Sequence, residues 1–182
     1  VAHRARSGAE AQLAEELGPQ TSFLKTDVAD EAQVASAVDL AMSRWGRLDV
    51  IFNNAGFGGV SGPIEDLDMA GFDTTMAVLL RGVFLGAKHA ARVMKPAGRG
   101  VILNTASIAG LQAGYGPLTY SAAKAAVAHF SRCLAVELAP FGIRVVALNP
   151  VAGETPLLKT FMGEDTPEMR AKFLSTIPIG RF

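Results

Sequence analysis

Leu48-Asp49-Val50-Ile51-Phe52 is a short, mostly apolar run that stops on Asn53-Asn54. Its apolar residues do not alternate with polar ones, so the run reads as a strand buried on both faces. Three further runs have the same form: 21–25 ahead of Asp27, 100–103 ahead of Asn104 and Ser107, and 143–148 ahead of Asn149. Helical periodicity fills the spaces around them, at 9–17, 31–45, 66–94 and 120–138. Gly18-Pro19, Gly46 and Pro140-Phe141-Gly142 mark helix ends, and Asp30 is placed to cap the helix over 31–45. Strands that alternate with helices imply crossover connections, hence a parallel sheet with helices on both faces. The fold class is α/β. No repeat, linker or low-complexity tract interrupts the pattern, so 1–182 reads as one domain.

The polar residues fall at one place relative to those strands. Asp27, Asn53 and Asn54, Asn104 and Ser107, and Asn149 each follow an apolar run at its carboxyl end. In an open parallel sheet these ends share an edge, and ligands bind in the crevice there. Asx and Ser residues favour turns in any case, but four occurrences beside small residues predict a shared ligand cleft.

Tyr120-Ser121-Ala122-Ala123-Lys124 supplies candidate chemistry thirteen residues after Ser107. The spacing puts a phenol and an ammonium on one helix face, one turn apart. A phenol with a pKa of about 10 is a poor acid–base group at neutral pH, and a fixed cation beside it favours the phenolate. The pair alone is a weak signal, since a surface helix carries such a spacing by chance.

Composition narrows the class. With 182 residues and 49% hydrophobic content, the chain can bury one substantial core. A formal net charge of zero gives no electrostatic case for nucleic acid or an anionic membrane surface. The apolar runs fall short of the roughly 20 residues that span a bilayer. The single cysteine, Cys133, lies in an apolar helical pattern, which suggests packing and a reducing, cytoplasmic compartment. Asp49, His89 and His129 have no metal-ligand spacing, so no metal is expected.

Taken together, Asp27-Val28, Asn53-Asn54-Ala55-Gly56, the 104–110 segment with Ser107, and Tyr120–Lys124 resemble the short-chain dehydrogenase/reductase family in its single-domain branch. Asn149-Pro150 with Thr155 is a looser fifth element. The resemblance implies a Rossmann-like, doubly wound domain that binds NAD(P) and passes hydride between a secondary alcohol and a ketone. It implies that Tyr120 is the proton donor or acceptor, that Lys124 lowers its pKa and holds the nicotinamide ribose, and that Ser107 hydrogen-bonds the substrate oxygen. Asp27 and Val28 would meet the adenine, and Asn53, Asn54, Ala55 and Gly56 would line the adenosine and ribose. Pro150 would also bind the cofactor, and Thr155 would reach its carboxamide or pyrophosphate side. Helices 66–94 and 120–138 would pair across subunits, giving a homodimer or homotetramer.

The sequence departs from the family in several places. The glycine-rich phosphate turn is not found; Gly56-Phe57-Gly58-Gly59 lacks its spacing and reads as a loop beside the site. Both ends read as truncated, and without that turn the pyrophosphate lacks a helix N-terminus to rest on. Leu79 stands where the family commonly has an Asn that relays protons through water. Val151 and Gly153 invert the usual order after Pro150. His3-Arg4-Ala5-Arg6 at the expected end of the second strand suits a 2′-phosphate, which favours NADP. The alternative is a non-catalytic member of the same fold. A sugar-nucleotide epimerase or dehydratase shares the Tyr/Lys pair, but the 53–56 segment argues against it. The loop 57–63 and the segment 157–173, with Phe161, Met162 and Met169, should cover the substrate as an apolar lid.

Overall fold

Three apolar runs become adjacent strands: β1 (Val50–Asn53), β2 (Gly100–Thr105) and β3 (Ile143–Leu148). The computed structural model describes residues 9–182, so the basic stretch His3–Arg6 lies outside the described residues. The strands pair in parallel in chain order, with Ile51 opposite Ile102 and Ile102 opposite Val145. Each crossover contains a helix, as parallel pairing requires. The α/β, Rossmann-like class follows.

The run 21–25 forms no strand. A strand exists only as a paired ladder, and no partner strand reaches it among the described residues. It is held instead by side chains: Arg44 Nη1 donates to Ser22 Oγ, and Gln33 Oε1 accepts from Asp27 N at 2.8 Å.

Helix α1 (Ala9–Glu16) precedes it and α2 (Glu31–Trp45) follows. Asp30 caps α2 as expected, accepting from the Ala32 and Gln33 amides, and Gly46 closes it at φ 69°. The periodic stretch 66–94 is not one regular helix. It runs as α3 (Met69–Met76), capped by Asp68, then a π turn at Ala77–Arg81, then α4 (Gly82–Ala97). A π turn adds a residue to the turn and shifts the helix face; here it turns Val78 and Leu79 fully inward.

The 29-residue rod Met69–Ala97 is long and apolar enough to cross a membrane, contrary to the sequence expectation. It packs on β1 and β2 instead, burying Leu85, Ala87, Ala90 and Met94 while Lys88 and Arg92 stay exposed. Helix α5 (Leu118–Leu138) lies beside it on β2 and β3. Met94, Ile102, Leu138 and Ile143 form the core between the sheet and these helices. On the opposite face Val50 and Phe52 are 55% and 50% exposed, so the described residues leave that side of the sheet largely uncovered. Cys133 is exposed on α5, which removes the packing role expected for it. Beyond β3, α6 (Leu158–Met162) and α7 (Pro167–Leu174) lie near the carboxyl ends of the strands.

A buried polar chain crosses the layers. Asn53 Nδ2 donates to Asn104 Oδ1 at 2.8 Å, Asn104 Nδ2 to Ser131 Oγ at 2.9 Å, and Ser131 Oγ to the Val127 carbonyl at 2.7 Å. A Cβ at Gly86 would overlap the Asn53 amide, so the bare glycine makes room for this chain against α4. Asn104→Ala should cost about 1–3 kcal/mol, because it removes two hydrogen bonds, leaving the half-buried Asn53 amide without its acceptor and Ser131 Oγ without its donor. The exposed Asn54→Ala should stay within about 0.5 kcal/mol. Equal losses for the two variants in urea denaturation would refute this ranking.

Candidate active site

Ser107 is delivered by the exits of two strands. The Ala106 amide donates to the Leu148 carbonyl at 2.7 Å, and the Ile108 amide to the Pro150 carbonyl at 3.1 Å. Between these ties Ser107 caps the 3-10 turn Ile108–Gly110, its Oγ accepting from the Ala109 amide at 3.2 Å. The turn lies flush on α5. A Cβ at Gly110 would stand 2.5 Å from the Lys124 carbonyl carbon and 2.6 Å from the Ala125 nitrogen, so only glycine permits the approach. The same helix carries Tyr120 and Lys124 inward, leaving them 6% and 3% exposed beside a Ser107 that is 7% exposed. A surface helix with a chance spacing is excluded by that burial.

The electrostatics differ from the sequence expectation. Burial holds the Tyr120 phenol above its ordinary pKa, and its side-chain hydrogen bond with Ser107 draws it back down. The Lys124 ammonium is turned to the strand: Nζ donates to the Thr105 carbonyl at 2.5 Å and sits 5.6 Å from the centre of the Tyr120 ring. Burial pulls its pKa down to about 8. At neutral pH the site thus holds a protonated phenol, bonded to a serine, with a positive charge one helical turn away. Such a group can deliver a proton to an oxygen that gains charge, and the ammonium would then stabilise the phenolate left behind.

Two clefts lie beside these elements. One, of about 270 Å³, runs along β1 from Leu48 to Ala55 against apolar residues of α2 and α4 such as Val34, Val38 and Val83, with Thr26, Val28, Asn53 and Asn54 on its wall. The other, of about 300 Å³, is lined by Ser107, Tyr115, Tyr120, Pro150 and Thr155 together with apolar residues of the 151–173 region. Of the candidate cofactor residues, Val28, Asn53, Asn54 and Ala55 line the first and Tyr120, Pro150 and Thr155 the second. Asp27 and Gly56 are exposed at the rim of neither, and Lys124 lies behind Tyr120. Asp27 Oδ1 accepts from the Ala29 amide at 2.9 Å, while Asn54 Oδ1 accepts from Thr105 Oγ1 at 2.8 Å. Asn104 does not face the cleft at all; it is fully buried under α5.

Sequence reasoning passed over three residues. Thr105 joins Lys124 to Asn54 through its carbonyl and hydroxyl. Gly110 sets the distance between turn and helix. Thr119 holds the loop ahead of α3, its hydroxyl donating to the Val60 carbonyl at 2.6 Å. Only Gly110 had a readable signal, as a glycine closing the serine-bearing turn.

The profile of the family described as enoyl-(acyl carrier protein) reductase matches residues 1–182. The chain is 44% identical over 166 residues to momilactone A synthase of Oryza sativa subsp. japonica, covering 88% of this chain and 60% of that protein. It is 38% identical over 173 residues to levodione reductase of Leifsonia aquatica, covering 92% and 65%. The crystal structure of levodione reductase superposes with a TM-score of 0.85 at 36% identity, over 98% of this chain and 72% of that one. That of 3-ketoacyl-(acyl-carrier-protein) reductase from Brucella melitensis, complexed with NADH, superposes at 0.87 with 40% identity, over 100% and 72%. The chain thus spans 60% and 65% of the length of the two curated relatives.

Burial of Lys124 sets a pH dependence. Below about pH 8 the folded and unfolded chains both carry the ammonium, and the desolvation penalty is present in full. Above that, and up to the unfolded value near 10.4, the folded chain sheds its proton first. The penalty fades and stability rises with pH. The stability difference between wild type and Lys124→Met should therefore move in favour of wild type from pH 8 to pH 10; a flat difference would show that Lys124 is not desolvated. Gly110→Ala should push the turn off α5 and break the Ser107–Tyr120 hydrogen bond. The Tyr120 phenol should then titrate still higher, read by tyrosinate absorbance in a Tyr115→Phe background that leaves one of the two tyrosines.

Proposed function

The chain belongs to the short-chain dehydrogenase/reductase family, and we propose that it carries an NAD(P)-dependent oxidoreductase site interconverting a secondary alcohol and a ketone. The observation behind this reading is the buried Ser107–Tyr120 pair on the wall of one cleft, with Lys124 one turn behind it. In this reading Ser107 Oγ and the Tyr120 hydroxyl meet the carbonyl oxygen. Tyr120 gives up its proton as that oxygen gains charge, and Lys124 stabilises the phenolate. For alcohol oxidation the same groups run in reverse, with Tyr120 accepting the proton.

The cleft residues fit a dinucleotide. The first space carries Val28, Asn54 and Ala55 and the second Ser107, Tyr120, Pro150 and Thr155, which suits a ligand with a ring system at each end. Asn149 Oδ1, just past β3, is buried with no partner, an acceptor that a ligand amide could satisfy. Asp27 and Val28 would hold the adenine, and Asn54, Ala55 and Gly56 the adjacent ribose. Asn53 would shape that wall, since its amide is bound to Asn104. Tyr120 and Lys124 would hold the second ribose, with Pro150 and Thr155 beside the nicotinamide. The cofactor supplies or receives the hydride, which no side chain can do.

Arg4 and Arg6 support NADP over NAD, through a 2′-phosphate. The exposed apolar residues of α4 and α5, Phe84 and Val136 among them, support a homodimer or homotetramer. The lone exposed thiol of Cys133 supports a reducing, cytoplasmic setting. The competing reading is a non-catalytic member of the family. Its support is Leu79, fully buried where an amide relay is expected.

In the full-length protein, Tyr120→Phe should lower kcat by at least about 100-fold while the thermal transition is unchanged. NADPH should be turned over in preference to NADH. Turnover within tenfold of wild type in the Phe variant would discard the assignment of Tyr120.

A further inference from the structure

We infer that the substrate is an uncharged carbonyl compound or alcohol with one oxygen function at its reacting end and a compact hydrocarbon body, neither an anion nor a polyol. This rests on the redox reading above and deepens it. The cleft is polarised. Ser107 and Tyr120 are its polar reacting groups, Tyr115 and Thr155 add two further hydroxyls, and Val151, Leu157, Leu158, Phe161 and Phe173 make up much of the rest of the wall; no charged side chain lines it among the described residues.

Lys124 and Arg170 are already committed. Lys124 is bonded to the Thr105 carbonyl and lies behind Tyr120. Arg170 of α7 pairs with Asp165 at 2.5 Å and Glu154 at 3.1 Å, both carboxylates on the outer side of the segment. A substrate carboxylate or phosphate would enter this cleft with no counter-charge, and burying an unpaired charge is strongly unfavourable. Beyond the reach of Tyr115 and Thr155, extra hydroxyls would meet leucine and phenylalanine carbons and lose their water partners without replacement.

The apolar wall is fixed in place. Phe161 meets the Tyr120 ring edge-on, with centroids 5.0 Å apart. Gly116 admits that ring, since a Cβ there would stand 3.2 Å from it, and Gly58 receives Thr160 of the same helix. At about 300 Å³ the space is at the lower end of ligand pockets and would also receive the nicotinamide beside Pro150 and Thr155, so the body it takes is small.

Three ketones that share one ring test this: 4-methylcyclohexanone, 4-hydroxycyclohexanone and 4-oxocyclohexanecarboxylate. Each is assayed with the full-length protein and both NADH and NADPH. The methyl compound should exceed the hydroxyl compound at least about tenfold in kcat/KM, and the carboxylate at least about 100-fold. Leu157→Arg should narrow or invert the second ratio, and Phe173→Lys does the same if the first variant does not fold. A carboxylate turned over as well as the methyl compound overturns the inference and leaves the redox reading intact. Failure of all three ketones with both nucleotides overturns the redox reading, and the inference with it.

Discussion

The hydrogen bond from Lys124 Nζ to the Thr105 carbonyl is the constraint on which the site depends. It ties the second turn of α5 to the last residue of β2, and both neighbours of that tie are functional candidates. Tyr120 lies one turn earlier on the helix, and Ser107 two residues later along the chain. An ammonium buried to this extent is costly, as its lowered pKa records. A leucine or methionine there would pack at lower cost, so stability alone does not account for the residue. The Thr105 hydroxyl carries the connection on to Asn54 on the rim of the other cleft.

Around that tie, the polar groups divide between two jobs. Asn53, Asn104 and Ser131 join strand to strand and strand to helix through buried, mutually satisfied bonds. Asn54, Ser107 and Tyr120 face the clefts. A half-satisfied buried network costs more than an apolar one. The inward chain is satisfied at every link, and it ends on a helix carbonyl. Both kinds of residue sit at strand ends for the same reason: that is where a chain leaving a parallel sheet can point a side chain either inward or along the edge.

Local signals were legible in the sequence and non-local ones were not. Helix α2 and strand β3 match the periodic segments to the residue, because Asp30, Gly46 and Gly142 define their ends by local chemistry. The run 21–25 fails as a strand because pairing depends on a partner far away in the chain. The π turn at Ala77–Arg81 is invisible for a related reason: its residues have ordinary helix preferences, and only the packing of Val78 and Leu79 selects the extra residue. Ser107, Tyr120 and Lys124 were legible as a spacing. The state of the phenol was not. The sequence shows a cation one turn away, which argues for a lowered pKa, whereas burial, a property of the whole fold, raises it.

That reversal follows from where the apolar residues sit. Val78, Leu79, Ala109 and Ala123 surround Tyr120 on the core side, and Phe161 covers its edge. The phenol is therefore desolvated from behind, and the polarity available to it is Ser107, the Lys124 ammonium 5.6 Å from the ring centre and the cleft. In such surroundings the ionised phenol is strongly disfavoured unless a charge or dipole in the cleft compensates it. A low dielectric that suppresses ionisation in one state also magnifies the effect of a compensating charge in another. Leu79 sharpens this by excluding water from the helix side, where a polar residue would have admitted it. What offsets that desolvation lies in Ser107, in the buried Lys124 ammonium and in the polarity of the cleft.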